Sequence, residues 1–102
     1  MPVAYTLDNG EKTHQEFPDR FEMPPQTERE SLRPGDRAKL MFRIEFGDEA
    51  VVERMWVRIT EVRPELYVGV LYNDPHCTEE MRGGMRVEFH ADHLIQIHRV
   101  VD

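Results

Sequence analysis

The sequence predicts a mainly β fold, a small antiparallel barrel of five strands, and three observations lead to that prediction. Apolar and polar side chains alternate with a period of two through most of residues 37–100. The alternating runs are separated by short segments rich in Gly, Pro, Asn and Asp, which favour tight turns. Because a sheet that closes on itself leaves few exposed strand edges, we expect a barrel rather than a flat sheet.

The strands follow one another with short connections. In the first, every second residue from Ala38 to Phe46 is apolar, and Gly47-Asp48-Glu49 then turns the chain into the second. A turn at Pro64-Glu65 leads into the third, and Asn73-Asp74-Pro75 ends it. The predicted strands are 37–46, 51–62, 66–72, 85–89 and 93–100.

The last connection refines the fold class. His90-Ala91-Asp92-His93 is too short a break for a helix, and a strand, a 3₁₀ turn and a strand at this point are typical of an SH3-like barrel. We therefore predict an SH3-like barrel over residues 31–102, in preference to an open meander covered by the N-terminal segment. The predicted core consists of the inward residues Ala38, Leu40, Phe42, Ile44, Val57, Ile59, Val68, Val70, Val87, Phe89, Ile95 and Ile97.

Residues 1–30 are expected to form an extended arm that packs on this domain. Three prolines interrupt regular structure there, and the stretch 8–12 is polar and rich in turn-forming residues. Thr27 to Glu30 has capping-box spacing, which predicts one short helical turn with Thr27 as its cap. The apolar residues available to anchor the arm are Phe17, Phe21 and Met23.

Charge and cysteine content limit the functional classes. Twenty Asp and Glu stand against 13 Lys and Arg, a net charge of −7, which counts against binding to nucleic acid or anionic membranes. The single cysteine excludes an internal disulfide and suits a reducing compartment. The N-terminus has no signal-peptide pattern, and the sequence has no apolar run of about 20 residues. A cytoplasmic protein without nucleic-acid or membrane partners is expected, and its oligomeric state is left open.

The only tryptophan lies on the polar side of the second strand. Because side chains alternate along a strand, Arg54, Trp56 and Arg58 point to the same face. Either the apolar residues of the arm cover Trp56, or Trp56 is an exposed recognition residue with flanking arginines, a combination enriched at interface hot spots. An exposed Trp is costly and a cover is at hand, which favours the covered arrangement.

A register for the neighbouring hairpin follows from its turn. If Pro64-Glu65 is a two-residue loop, Arg63 pairs with Leu66. Ile59 then faces Val70, Val57 faces Tyr72, and Trp56 lies near Asn73.

A second hypothesis, of another class, is a small hydrolase or a metal-dependent enzyme that uses His76, Cys77, His90 and His93. A thiol beside an imidazole could act as an activated nucleophile, and two His near a turn could bind a metal. Residues adjacent in sequence seldom reach nucleophile–base geometry, however, and the His spacing does not make those two side chains converge on this framework. We therefore predict no catalytic residue, no metal and no cofactor.

Several motifs lie in one order along residues 30–98. They are Arg33-Pro34-Gly35-Asp36 with Ala38-Lys39-Leu40, then Glu53-Arg54-Met55-Trp56-Val57, then Tyr67-Val68-Gly69-Val70-Leu71 with Asn73-Asp74-Pro75, and Gly84, Val87, Phe89 and Ile95. Together they resemble the bacterial family catalogued as Domain of Unknown Function 2314. The resemblance implies a small β-rich bacterial domain and brings no established activity or catalytic residue. Some such families accompany toxin–immunity systems, which keeps an immunity-type role open.

These observations favour a noncatalytic binding or adaptor module whose partner is another protein. Its contact surface is predicted at Trp56, Arg54 and Arg58, with Asn73 and Asp74 at the rim. In the immunity-type case the partner would be a basic toxin, steered by the acidic surface.

Overall fold

A computed structural model describes residues 4–19, 22–75, 78 and 81–100. These residues form one antiparallel sheet with two short α-helices and a 3₁₀ turn. In chain order the elements are β1 (Ala4–Leu7), α1 (Gly10–Glu16), α2 (Gln26–Arg29), β2 (Arg37–Phe46), β3 (Glu49–Val62), β4 (Tyr67–Leu71), β5 (Arg86–Phe89), the 3₁₀ turn (Ala91–His93) and β6 (Leu94–His98). Neither α1 nor any other helix in this part of the chain is long and apolar enough to cross a membrane.

The predicted fold class is confirmed: the protein is mainly β, and its sheet curls into a half-barrel. The strands are ordered β6-β2-β3-β4-β5, every pair is antiparallel, and the 3₁₀ turn precedes the last strand as expected. One strand was not predicted. β1 pairs with the second half of β2, on the edge whose first half pairs with β6.

The start of β2 is set by the turn at residues 33–36. Gly35 has φ of 98°, a conformation open to glycine, and the Asp36 N–H donates to the Arg33 carbonyl at 3.1 Å. The fully buried Asp36 carboxylate accepts hydrogen bonds from the N–H groups of Arg33 and Val100. The turn therefore ties the first strand of the barrel to the segment that follows the last one.

The core lies inside the curled sheet and contains the inward face of β2, as the alternation predicts. Eight of the predicted residues belong to the main buried cluster: Ala38, Leu40, Phe42, Ile44, Val57, Ile59, Val87 and Phe89. Val68 is buried, Val70 and Ile97 are half-buried, and Ile95 belongs to a separate small cluster on the outer side of β2. The main cluster also contains buried residues that were not predicted: Leu32, Met55, Tyr67, Leu71, Met81 and Leu94.

The predicted register of the β3–β4 hairpin is right near the turn and wrong beyond it. The Arg63 N–H donates to the Leu66 carbonyl at 2.9 Å, as expected. A bulge between Ile59 and Glu61 then shifts the pairing, so that Val57 pairs with Leu71 instead of Tyr72. Because a one-residue shift exchanges the two faces of a strand, Leu71 enters the core and Tyr72 points outward.

The arm is not extended throughout as predicted, because residues 10–16 form the helix α1. Asn9 accepts a hydrogen bond from the Lys12 N–H at 2.9 Å, so the turn-rich stretch is in fact the capped start of a helix. Phe17 is 51% exposed, whereas Met23 packs against Met41 and Ile95. Phe21 lies outside the described residues.

The second half of the arm is held by a buried arginine. Arg29 is 5% exposed, and its guanidinium donates to the carbonyls of Pro24 and Ala91 at 3.0 and 3.1 Å. The carboxylates of Glu11 and Asp92 each lie 3.6 Å from its Nη1. The short helix predicted here is present, but it begins after Pro25, and Thr27 is not its cap.

Candidate binding face

The outward side of β6, β2, β3 and β4, hereafter the outer face, carries two rows of cross-strand neighbours. The arginine row is His98, Arg37, Arg58 and Val70, and the tryptophan row is Gln96, Lys39, Trp56 and Tyr72. Adjacent members of a row lie on paired strands, where side chains contact one another. The outer face therefore brings together aromatic rings and cations that are far apart in sequence.

A groove of about 290 Å³ crosses the two rows; its lining residues are Arg37, Trp56, Tyr72, Asn73 and His98. The half-buried Trp56 ring meets the His98 imidazole edge-on, with 6.5 Å between centroids. The Arg37 guanidinium lies 4.2 Å from the centroid of the Tyr72 ring, a cation–π contact. Since Arg37 is on β2 and Tyr72 follows β4, the Arg37 side chain passes over β3 beside Trp56.

The outer face is cationic although the protein is acidic. Within the described ranges, Arg37, Lys39 and Arg58 have no carboxylate partner. Elsewhere Arg29, Arg43, Arg63 and Arg86 each form an ion pair with a carboxylate. Arg37 also lies directly opposite Arg58, and like charges in opposed positions of a sheet destabilise it.

The predicted site residues are only partly assembled on this face. Arg54, Trp56 and Arg58 share it, as the alternation predicts, with Arg54 paired to Met41 at its margin. The Asn73 side-chain oxygen accepts the Trp56 N–H at 2.8 Å, so this residue lines the groove while fixing the backbone below it. Asp74 accepts the Gly83 N–H at 2.7 Å and thereby holds the following turn.

Sequence reasoning missed six of the eight members of the two rows: Arg37, Lys39, Val70, Tyr72, Gln96 and His98. The first two were correctly placed on the polar side of their strand, but their strand partners were unknown. Tyr72 was assigned to the inner layer because the bulge was not foreseen. His98 gave one weak signal, its position one residue after the inward Ile97.

The described part of the arm does not cover Trp56. For these residues, the prediction that the arm covers Trp56 is therefore wrong. None of the arm residues that the structure describes lines the groove. Met23 packs on the outer face at Met41, two residues along β2 from Lys39. Trp56 is instead shielded by its own face, with the Lys39 ammonium 5.6 Å from its ring centroid.

The residues of the enzyme hypothesis are described only in part, since His76 and Cys77 lie outside the described residues. The His93 Nδ1 accepts the His90 N–H at 3.0 Å, and the His90 Nδ1 lies 2.8 Å from the Glu65 carbonyl. Burial lowers the pKa of His93, neighbouring His90 lowers it further, and Asp92 opposes the shift. Across the described ranges no group of three or more His, Cys, Asp or Glu is placed to hold a metal.

Comparison with known proteins brings no match. No family model fits the chain, and neither a curated protein nor a solved structure matches it.

Proposed function

We propose that this protein is a noncatalytic binding module that contacts another protein through the outer face around Trp56. The observation that carries the proposal is the meeting of Trp56, Tyr72 and Arg37 at one groove. Trp, Tyr and Arg are the residue types most enriched at interface hot spots. Because Arg37 and Trp56 lie on strands β2 and β3 and Tyr72 directly follows β4, little ordering is required when a partner binds.

The setting we propose is a bacterial cytoplasm, with the chain a member of the uncharacterised family that its motifs resemble. Within that setting, the charge of the outer face favours an adaptor function over an immunity function. The groove is cationic, so its partner is acidic. A basic toxin would have to be bound on a different, acidic surface of the molecule.

The test is capture of partners from the source cell by crosslinking and mass spectrometry, followed by affinity measurements with the purified partner. Trp56→Ala should weaken binding by about 30-fold or more, the loss typical of a hot-spot residue. Val62→Ala is the control, because Val62 is exposed and lies at the far end of β3. Cooperative thermal unfolding of both variants establishes that they are folded. Equal affinities for the two variants would refute a contact surface at Trp56.

A further inference from the structure

We propose that the groove on the outer face takes an acidic peptide segment of the partner protein. In this arrangement an Asp or Glu carboxylate binds at Arg37, and a neighbouring apolar side chain packs on Trp56. The proposal deepens the function proposed above and rests on it.

The carboxylate site is built by the stacking of Arg37 on Tyr72. A guanidinium that lies 4.2 Å from a ring centroid uses its flat side for the ring. Its N–H groups point outward in the plane of the guanidinium, where they match the two oxygens of a carboxylate. Stacking also limits the rotamers of Arg37, so less conformational freedom is lost when the anion binds.

The charges of the arginine row favour the binding of an anion on this face. Arg37 lies between Arg58 and His98 across three paired strands. Arg58 has no ion-pair partner among the described residues, whereas Arg43 on β2 and Arg63 directly after β3 each have one. The opposed arginines repel each other in the free protein, and a bound carboxylate relieves that repulsion.

The apolar contact is provided by the tryptophan row. The half-buried Trp56 side chain lines the groove, and Tyr72 is 51% exposed beside it. Paired strands are about 5 Å apart, so the rings and the cations are within reach of neighbouring side chains of one short segment. The face thus fits a segment in which carboxylates flank an apolar residue.

A peptide suits the molecule better than a nucleic acid does. Binding to nucleic acid depends on neutralising a continuous run of phosphates, and a net charge of −7 opposes such a polyanion. The cationic groups here, Arg37, Lys39 and Arg58, lie close together on two adjacent strands. A partner that carries two or three carboxylates at one place matches that distribution.

The first experiment uses three probes: a capped, otherwise neutral peptide with a Glu-Phe-Glu centre, the same peptide with Gln-Phe-Gln, and a ten-nucleotide oligothymidylate. Binding is followed by the NMR signal of the Trp56 indole N–H and by calorimetry. The Glu peptide should shift the indole signal saturably, bind at least tenfold more tightly than the Gln peptide, and weaken as salt rises. Equal binding of the two peptides, or tighter binding of the oligonucleotide, would overturn the inference.

The second experiment compares variants of matched charge. Arg37→Gln and Arg63→Gln remove one positive charge each, but Arg63 lies at the β3–β4 turn and pairs with Glu61. Arg37→Gln should weaken binding of the Glu peptide at least fivefold, and Arg63→Gln less than twofold. Equal losses would mean that only long-range charge matters and would overturn the site. Association of the protein with itself through Trp56, detected by sedimentation, would also overturn it.

A third variant separates binding from stability. Arg58→Thr removes the opposed like charge and places a favourable strand residue there. We expect an unchanged or higher melting temperature together with weaker binding of the Glu peptide. If the natural partner depends on Trp56 but not on Arg37 or Arg58, the proposed function stands and the acidic-segment inference fails. If the partner does not depend on Trp56, both fail.

Discussion

At the residue scale, the side chain that decides the interpretation is Trp56. Its position on the polar side of β3 follows from simple alternation, yet its surroundings do not. Lys39 and His98, which lie on other strands, shield part of the Trp56 ring. The rest of the ring is accessible in the groove. A residue expected beneath an arm is therefore the centre of an accessible face.

His93 provides a prediction at the same scale. Its Nδ1 accepts the His90 N–H and so must be unprotonated in the fold. Burial and the charge of His90 lower its pKa, and Asp92 opposes them. Because the folded pKa lies below the unfolded value of about 6.5, the stabilisation is complete above that pH and is lost as pH falls through the lowered pKa.

We therefore expect stability to decrease on acidification below about pH 6.5, and His93→Asn to reduce that decrease. Asn keeps an acceptor for the His90 N–H but does not titrate. The variant leaves the other groups around the 3₁₀ turn unchanged. These are Glu11 and Arg29, from the two helices that pack on the turn, and the carbonyl of Glu65. His98→Asn is the control, and urea unfolding across pH is the measurement. Equal pH profiles for the wild type and His93→Asn would contradict this role.

At the element scale, the close approach of β4 to β3 is made possible by Gly69. A Cβ at this position would lie 2.5 Å from the Arg58 carbonyl oxygen and 2.6 Å from the Val57 Cγ1. Because one of these contacts is with backbone, the strands would have to separate next to the bulge. The glycine therefore supports the register that turns Tyr72 toward the groove.

Gly69→Ala should lower the free energy of unfolding by about 1–3 kcal/mol, the usual cost of overpacking. Gly83→Ala is the matched control, since a Cβ there has its nearest contact at 3.5 Å. Its effect should stay within about 0.5 kcal/mol. Urea denaturation measures both variants, and similar midpoints would argue against the close approach of the two strands.

The inward face of β2 gives a second prediction at this scale. Phe42 is fully buried, and its ring lies 5.4 Å from that of Tyr5 on β1. Phe42→Ala should cost about 3–5 kcal/mol because it leaves a cavity in the main cluster. Val62→Ala, at an exposed position, should change little. A thermal melt in which Phe42→Ala hardly shifts the midpoint would refute the assigned register of β2.

At the scale of the whole molecule, the arm stabilises the half-barrel without closing the binding face. Tyr5 and Leu7 pack against the main core from β1, and β1 covers an edge of β2 that would otherwise be open. Arg29 links the arm to the 3₁₀ turn. The groove lies away from both contacts.

Deleting residues 1–19 should therefore destabilise the protein but leave the emission maximum of Trp56 unchanged. The loss of stability arises because the apolar area of Tyr5 and Leu7 is no longer buried. Each Å² of that area contributes about 25 cal/mol. If the truncated chain does not fold, the double variant Tyr5→Ala and Leu7→Ala serves instead. Fluorescence and urea unfolding are the measurements. A red shift in a variant that remains folded would restore the arm as the cover of Trp56.

The sequence by itself determined the elements whose causes are local. Alternation located β2 with its observed bounds, Pro34 and Gly35 specified the turn before it, and the short break at residues 90–93 marked the 3₁₀ turn. The same alternation placed Trp56 between two outward arginines. Local cues at Asn9 were also present, but they were interpreted as a turn instead of a helix cap.

Only the tertiary structure decided which side chains meet around Trp56. A period of two states which residues share a face of one strand, but it does not state which residues of another strand lie beside them. The pairing of residues on neighbouring strands depends on the hydrogen-bond ladder. One extra residue in β3, near Thr60, shifts this ladder and thereby exchanges the two faces of β4. For this reason Tyr72 points outward and Leu71 inward, the reverse of the prediction. Arg37 and His98 line the groove because of strand pairings that no local sequence pattern encodes.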